Sequence, residues 1–372
     1  MSVPIDPSTD LRSLQTQRLS DLRETLEDLS LDGLMVSHGP NIRYLSGFSG
    51  SSALLFVARA DRSVLLTDFR YEEQAAAELS SEIAVRIARR GLVDLLSELF
   101  ADATRPRSIG FEAATLTVRD RREFGERCGS VIWEEAPQVV ERMRELKAPE
   151  EVALLSDAAR VAERALELTL GEGVVGMTER RIAGLLEYHL KQEGSERLPF
   201  DTIVASGSRS SLPHAEPTTR QVAAGDLLLI DFGASVGGYG CDITRTRVMG
   251  ASTERQRELH EAVLEAQSAA IGRIAAGVAA RDVDRAAREA LEARGLAEQF
   301  GHSTGHGIGL EVHEAPRLAT RSEDTLEAGH VVTVEPGVYL SGYGGVRIED
   351  DVLVTRDGAQ RLTNLPRELE QG

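Results

Sequence analysis

Apolar residues along this chain recur at two spacings, and the switches between them outline its elements. Leu19, Leu22, Leu26 and Leu29 fall three and four apart, which predicts an amphipathic first helix closed by Gly33. Short β-rich runs follow: GLMVSH from Gly33, then 53–58, 63–68, 83–88, 108–112 and 131–134. Helical spacing is predicted between them, near 70–79, 91–102 and 117–127. Together these runs predict a small mixed α/β domain over residues 1–147. Pro149, at the first turn of the next helix and followed by Glu150 and Glu151, opens a second region over 148–372. Its helices are expected at about 149–170, 178–193, 253–275 and 281–294. Strands are expected between and after them.

That second region repeats itself. GDLLLIDFG, Gly225 to Gly233, matches GHVVTVEPG, Gly329 to Gly337, and Asp231 and Glu335 occupy the same place at an offset of 104. The same offset carries Gly238-Tyr239-Gly240 onto Gly342-Tyr343-Gly344 and brings the helix starts into line. Residues 148–372 therefore read as a duplicated unit of two helices plus strands closing around a pseudo-twofold axis.

Each copy places an acid where a buried strand should stay apolar, and a second acid follows: Asp242 in CDITRT and Glu349 in VRIEDD. A hairpin can bring Asp231 and Asp242 to one face of neighbouring strands, and Glu335 and Glu349 likewise. Isolated acids of this kind cap turns or form surface ion pairs. Four in duplicated context point to a shared pocket. Buried anions repel one another and lose hydration, so they demand cations or protons.

The Gly-rich stretch FGHSTGHGIGLEVHEAP, residues 300–316, supplies His302, His306 and His313. Its glycines argue against a helix, so the His302/His306 spacing is not the helical zinc signature. His306 is the expected metal ligand; His302 and His313 are candidates for substrate or supporting contacts. SLPHAEPT, 211–218, holds His214 between Pro213 and Pro217. Four carboxylates and one imidazole suit manganese, with cobalt or zinc as alternatives, and charge balance matches two divalent ions. Such a pair can hold a bridging hydroxide and polarise a carbonyl, which fits amide hydrolysis.

Composition narrows the setting. The formal net charge is −18 with a pI near 5.0, which disfavours nucleic acid and anionic membrane as partners. Two distant cysteines, Cys128 and Cys241, are too few for a disulfide framework and suit a reducing compartment. Cys241 reads as a small buried strand residue, because next-door strand positions point to opposite faces. The N-terminal stretch lacks a basic region followed by an apolar core, and no apolar run is long enough to span a bilayer. A soluble cytoplasmic protein is expected.

DFG, DITRT, HSTGHGIGLEVHE, VEPGVY and GVRIEDD, in that order, resemble the pita-bread metallopeptidases: Xaa-Pro dipeptidase (prolidase), Xaa-Pro aminopeptidase (aminopeptidase P) and, more distantly, methionine aminopeptidase. NIRYLSGF (41–48) and LLTDFRY (65–71) resemble the creatinase-like N-terminal domain, which favours the proline-specific branch. The resemblance implies Asp231, Asp242, His306, Glu335 and Glu349 as ligands of two divalent ions, with Asp242 and Glu349 bridging. It implies His313 as donor to the oxyanion, His214 and His302 as substrate-side residues, Glu335 as a proton shuttle and Arg347 as support for the bridging carboxylates. A homodimer is implied as well. Xaa-Pro dipeptides, or short peptides with proline second, are the implied substrates. The spelling GHGIGLEVHE leans toward the dipeptidase, with aminopeptidase action on longer peptides as the alternative. A metal-free creatinase-like hydrolase or a peptide-binding pseudo-enzyme would be expected to have lost ligands, and none is missing. Another amide substrate, such as an acylated amino acid, stays open. A dipeptidase needs a cation for the proline carboxylate, and Arg43 is a candidate. Phe200, Tyr44 and Tyr343 are candidates for the pocket wall or for core packing.

Overall fold

The structure is a computed structural model and describes residues 7–101 and 107–369. The first six residues of the N-terminal stretch, and residue 102 at the end of one expected helix, lie outside the described residues. The chain divides into two units, residues 1–144 and 145–372.

In the first unit α1 (Pro7–Asp28) precedes β1 (Gly33–Val36), α2 (Gly39–Ser46), β2 (Ala53–Ala58), β3 (Ser63–Asp68), α3 (Glu72–Glu78) and β4 (Ile83–Ala88). There follow α4 (Leu92–Phe100), β5 (Arg107–Phe111), α5 (Val118–Arg127), β6 (Val131–Glu135) and α6 (Val139–Glu145). The strands form one mixed sheet in the order β4-β3-β2-β1-β5-β6. Phe56, Phe100, Phe124 and Trp133 pack on one side of it, with Phe56 and Phe100 edge to face at 5.2 Å. Apolar spacing does not predict α2. It is two turns long and is set by Pro40 in its first turn and Gly47 in the left-handed conformation (φ 80°) at its end.

The second unit shows the duplication directly. α7 (Pro149–Gly171) and α8 (Glu179–Gln192) are followed by β7 (Ile203–Ser206), β8 (Leu227–Phe232), β9 (Ser235–Val236), β10 (Tyr239–Gly240) and β11 (Ile243–Val248). α9 (Glu254–Arg273) and α10 (Ala280–Ala293) then lead to β12 (Gly305–Gly307), β13 (Glu314–Leu318), β14 (Val331–Val334), β15 (Gly337–Leu340), β16 (Gly344–Arg347), β17 (Asp350–Thr355) and β18 (Gly358–Arg361). Thr178 caps α8 through Arg181 N–H, and Thr253 with Gln256 forms a reciprocal capping box on α9. Each half has its own core. Leu166, Ile182, Leu186, Ile230 and Phe232 fill the first; Leu259, Val263, Val283, Leu291 and Val334 fill the second. Cys241 belongs to the first core, fully buried, and both cysteines are free.

The halves meet along a polar seam. Thr246 Oγ1 donates to Arg347 O at 3.0 Å, and Glu349 N donates to Thr244 O at 3.1 Å. The buried Arg245 guanidinium bonds Asp350 Oδ1 at 2.7 Å and Glu349 O at 2.5 Å, and also reaches the Leu365 and Pro366 carbonyls. Thr363 and Gln267 complete the shell around Asp350. A buried ion pair with every partner in place fixes geometry, and removing one member strands the other charge. No helix among the described residues is long and apolar enough to cross a membrane. Arg245→Ala is expected to destabilise the second unit by about 3–5 kcal/mol, read as a lowered midpoint in urea denaturation.

Candidate active site

Strand register explains why four carboxylates converge. β8 and β11 are antiparallel with Asp231 opposite Thr244, so Asp242, two residues before Thr244, shares its face. β14 and β17 are antiparallel with Val334 opposite Asp350, which leaves Glu335 and Glu349 as the next pair along the hairpin. The neighbouring acids are already engaged. Asp350 accepts from Arg245, and Asp351 Oδ2 accepts from the Asp242 backbone N–H at 3.1 Å, its Oδ1 being buried without a hydrogen-bond partner.

His306 comes in on β12, between two glycines that permit close backbone approach. A Cβ on Gly305 would sit 1.9 Å from Thr333 O, and one on Gly307 would sit 2.1 Å from Ala315 O. His306 Nδ1 lies 2.9 Å from Gly307 O and donates its proton there, which leaves the Nε2 lone pair facing the acids. Nε2 is 3.6 Å from Glu335 Oε1 and 3.8 Å from Asp242 Oδ2. One ligand atom each from Asp242, His306 and Glu349 lies within 4.8 Å of the others. Asp231 Oδ2 is paired with Arg347 Nη2 at 2.6 Å, while its Oδ1 is buried without a hydrogen-bond partner.

Without a cation this cluster would hold on to protons. Burial, then the Glu349, Asp231 and Glu335 carboxylates, push Asp242 well above the usual carboxylate range. Burial and the Glu335 and Asp231 charges do the same to Glu349. Glu335 is pushed up to about 7, mainly by burial, with Arg347 acting in the opposite sense. Burial pulls His306 down to about 4, so its ring is neutral at pH 7. An orphaned carboxylate oxygen, a neutral imidazole lone pair and crowded acids form a donor set that fits divalent cations. Asp231, Asp242, His306, Glu335 and Glu349 are the residues that could hold them.

A cavity of about 400 Å³ opens beside the cluster. Asp231, His306 and Glu335 line it, together with Pro213, His214, His302, Ser303, His313, Glu314, Arg317 and Arg347. The His306 and His313 rings lie 4.4 Å apart. His302 Nδ1 donates to Ser303 O at 2.9 Å, so its Nε2 accepts from Tyr339 Oη, also at 2.9 Å. Arg347 Nη1 donates to the same Tyr339 hydroxyl at 2.8 Å, and Arg347 Nε to Thr244 Oγ1 at 3.0 Å. Thr244 Oγ1 in turn donates to Glu349 Oε2 at 2.6 Å. Arg347 therefore pairs directly with Asp231 and reaches Glu349 only through Thr244.

Sequence reasoning did not single out Tyr339, Thr244 or Arg317. Tyr339 and Thr244 lie inside the VEPGVY and DITRT motifs but carry no individual signal there, and the HEAPR spelling placed a basic residue four positions after His313. Arg43 lies in the last turn of α2 in the first unit. Tyr44 is buried there, with its ring under the Arg18 guanidinium at 3.8 Å. Phe200 and Tyr343 are not among the residues lining the cavity.

Comparisons with known proteins agree with this architecture. Residues 153–356 match the model of metallopeptidase family M24, and residues 18–146 match the creatinase/prolidase N-terminal domain. The chain is 36% identical over 353 residues to a Xaa-Pro dipeptidase of Pyrococcus furiosus, covering 95% of this chain and 99% of that one. Among solved structures it is similar to a Xaa-Pro dipeptidase from Bacillus anthracis, with a TM-score of 0.91, 36% identity and coverage of 95% and 99%. It is also similar to an X-Pro aminopeptidase from Thermotoga maritima, with a TM-score of 0.88, 36% identity and the same coverage. From its duplicated acid-bearing strands to its N-terminal domain, the chain belongs to metallopeptidase family M24.

Proposed function

We propose that this protein is a Xaa-Pro dipeptidase that hydrolyses the bond before proline with two divalent ions, held by Asp231, Asp242, His306, Glu335 and Glu349. The observation that carries this reading is the buried cluster of acids around the His306 Nε2 lone pair, opening into a cavity lined by histidines and Arg317. When bound, the divalent ions supply an activated water nucleophile and polarise the scissile carbonyl. Asp242 and Glu349 would be the carboxylates shared between the two ions, and the hard-oxygen ligand set would favour manganese. His313 donates to the carbonyl oxygen as negative charge develops there. His214 and His302 line the substrate side. Glu335 carries a proton from the nucleophile to the leaving proline nitrogen. An Xaa-Pro amide has no N–H, so its nitrogen asks for no acceptor from the wall.

Arg317 supports the dipeptidase over the aminopeptidase. It places a guanidinium in the cavity wall, suited to a proline carboxylate, which longer peptides do not offer at that position. Arg43 stays a second candidate for this contact. The reading includes a cytoplasmic homodimer; free buried cysteines suit that compartment, and sedimentation tests the dimer.

Protein stripped with EDTA is expected to lose Ala-Pro hydrolysis and regain it with Mn²⁺, followed by mass spectrometry of the products. Full turnover in the stripped protein would end the metallopeptidase reading. Glu335→Ala is expected to reduce kcat to background while circular dichroism stays native. Arg317→Ala is expected to raise KM for Ala-Pro by about tenfold, the loss of roughly one charge-assisted hydrogen bond, with a smaller effect on Ala-Pro-Ala. Equal changes on both substrates, or a larger change in Arg43→Ala, would move the carboxylate contact elsewhere.

A further inference from the structure

Two buried carboxylates outside the metal cluster do matching work in the two halves. In the first half Glu179, fully buried at the start of α8, closes a loop. Its Oε1 accepts from Ser206 N and Ser206 Oγ, both at 2.8 Å. Its Oε2 accepts from Thr218 N at 3.0 Å and Thr218 Oγ1 at 2.7 Å. The loop between Ser206 and Thr218 carries Pro213 and His214, both in the cavity wall. Arg209 completes the arrangement, bonding Glu179 Oε2 at 3.0 Å and Glu216 O at 2.7 Å.

In the second half Asp284, fully buried on α10, ties together the two ends of the segment that carries β12 and β13. Its Oδ1 accepts from Thr304 Oγ1 at 2.9 Å and Thr304 N at 3.2 Å, and its Oδ2 from Thr320 Oγ1 at 2.8 Å. Between Thr304 and Thr320 lie His306, His313, Glu314 and Arg317. Here too an arginine joins. Arg288 pairs with Asp284 at 2.8 Å and donates to Phe300 O at 3.1 Å and His302 O at 2.6 Å. Thr304 O then accepts from Glu335 N at 2.8 Å, so this clamp reaches the ligand strand directly.

We propose that Glu179 and Asp284 are a matched pair of positioning residues, each fixing the loop that presents active-site histidines, the first to the substrate and the second to the metal ions. The proposal rests on the peptidase reading of the cavity. Every oxygen of both carboxylates faces donors, so an amide replacement turns one acceptor into a donor opposed to N–H or O–H. The consequences differ because the loops carry different groups. Loosening 207–217 moves His214 and Pro213, and touches the ligand set only at one remove, through Pro213 O and Arg347 to Asp231. Loosening 305–319 disturbs His306 and, through Thr304, the Glu335 backbone. Loss of groups that hold metal ligands in place characteristically weakens metal binding by about 10–100-fold.

The test compares Glu179→Gln and Asp284→Asn in the full chain, with Thr218→Val and Thr320→Val as milder variants that remove one hydroxyl donor each. Mn²⁺ affinity, kcat and KM for Ala-Pro, and hydrogen exchange across 207–217 and 305–319 are measured. Glu179→Gln and Thr218→Val are expected to raise KM, with kcat within about twofold and Mn²⁺ affinity unchanged. Asp284→Asn and Thr320→Val are expected to weaken Mn²⁺ binding, with faster exchange confined to 305–319. A purely structural role would lower Tm and leave KM and Mn²⁺ affinity of the folded protein untouched in all of them, and that result overturns the proposal. If the amide variants do not fold, the threonine variants decide it by the same criteria. Wild-type protein that binds Mn²⁺ yet cleaves no Xaa-Pro peptide would sink the peptidase reading instead; the clamps would then stand or fall on Mn²⁺ affinity and exchange.

Discussion

Mutual repulsion among buried carboxylates is the constraint around which the second unit is built. Asp242, Glu335 and Glu349 are withdrawn from water and face one another, and the imidazole that joins them offers a lone pair instead of a charge. Such a cluster opposes folding unless positive charge enters it. Arg347 supplies one guanidinium, paired with Asp231 and partly offsetting Glu335 and Glu349 as well. The remaining deficit is what divalent cations would fill, so the stability of the second unit and its chemistry would draw on the same ions.

The surrounding architecture keeps that cluster from relaxing. The proposed ligands come from both copies of the duplicated unit, and the copies are locked along a seam where Arg245 threads between Asp350 and the Glu349 carbonyl. Asp350 and Asp351 follow Glu349 in sequence yet have other duties, one in the seam and one holding the Asp242 backbone. Strands set the acids, His306 on β12 and Arg317 on β13, while the connecting segments bring His214, His302 and His313 to the cavity. This division suits a site in which metal ligands must be precise and substrate contacts must adjust.

Much of this was legible in the chain. The 104-residue offset, the helix starts and the acids interrupting apolar strands are local patterns, and strand alternation turns them into shared faces. The glycines around His306 argued against a helix, and the structure shows what two of them permit: Thr333 O and Ala315 O lie where a Cβ on Gly305 or Gly307 would have to be. Short elements were less readable. α2 depends on a proline and a left-handed glycine, not on apolar spacing.

What the sequence settled by itself was the inventory: which acids and imidazoles recur, in what order, and on strands of which register, because those follow from period and repetition alone. That Asp231 Oδ1 stays without a partner, which nitrogen of His306 keeps its lone pair toward the acids, and that Arg347 takes Asp231 for its partner were decided only in three dimensions. So was the placement of Arg317, and the assignment of Glu179 and Asp284 to loops far along the chain. Hydrogen bonds between residues this distant in sequence leave no periodic trace; they exist only once the sheets and helices have closed.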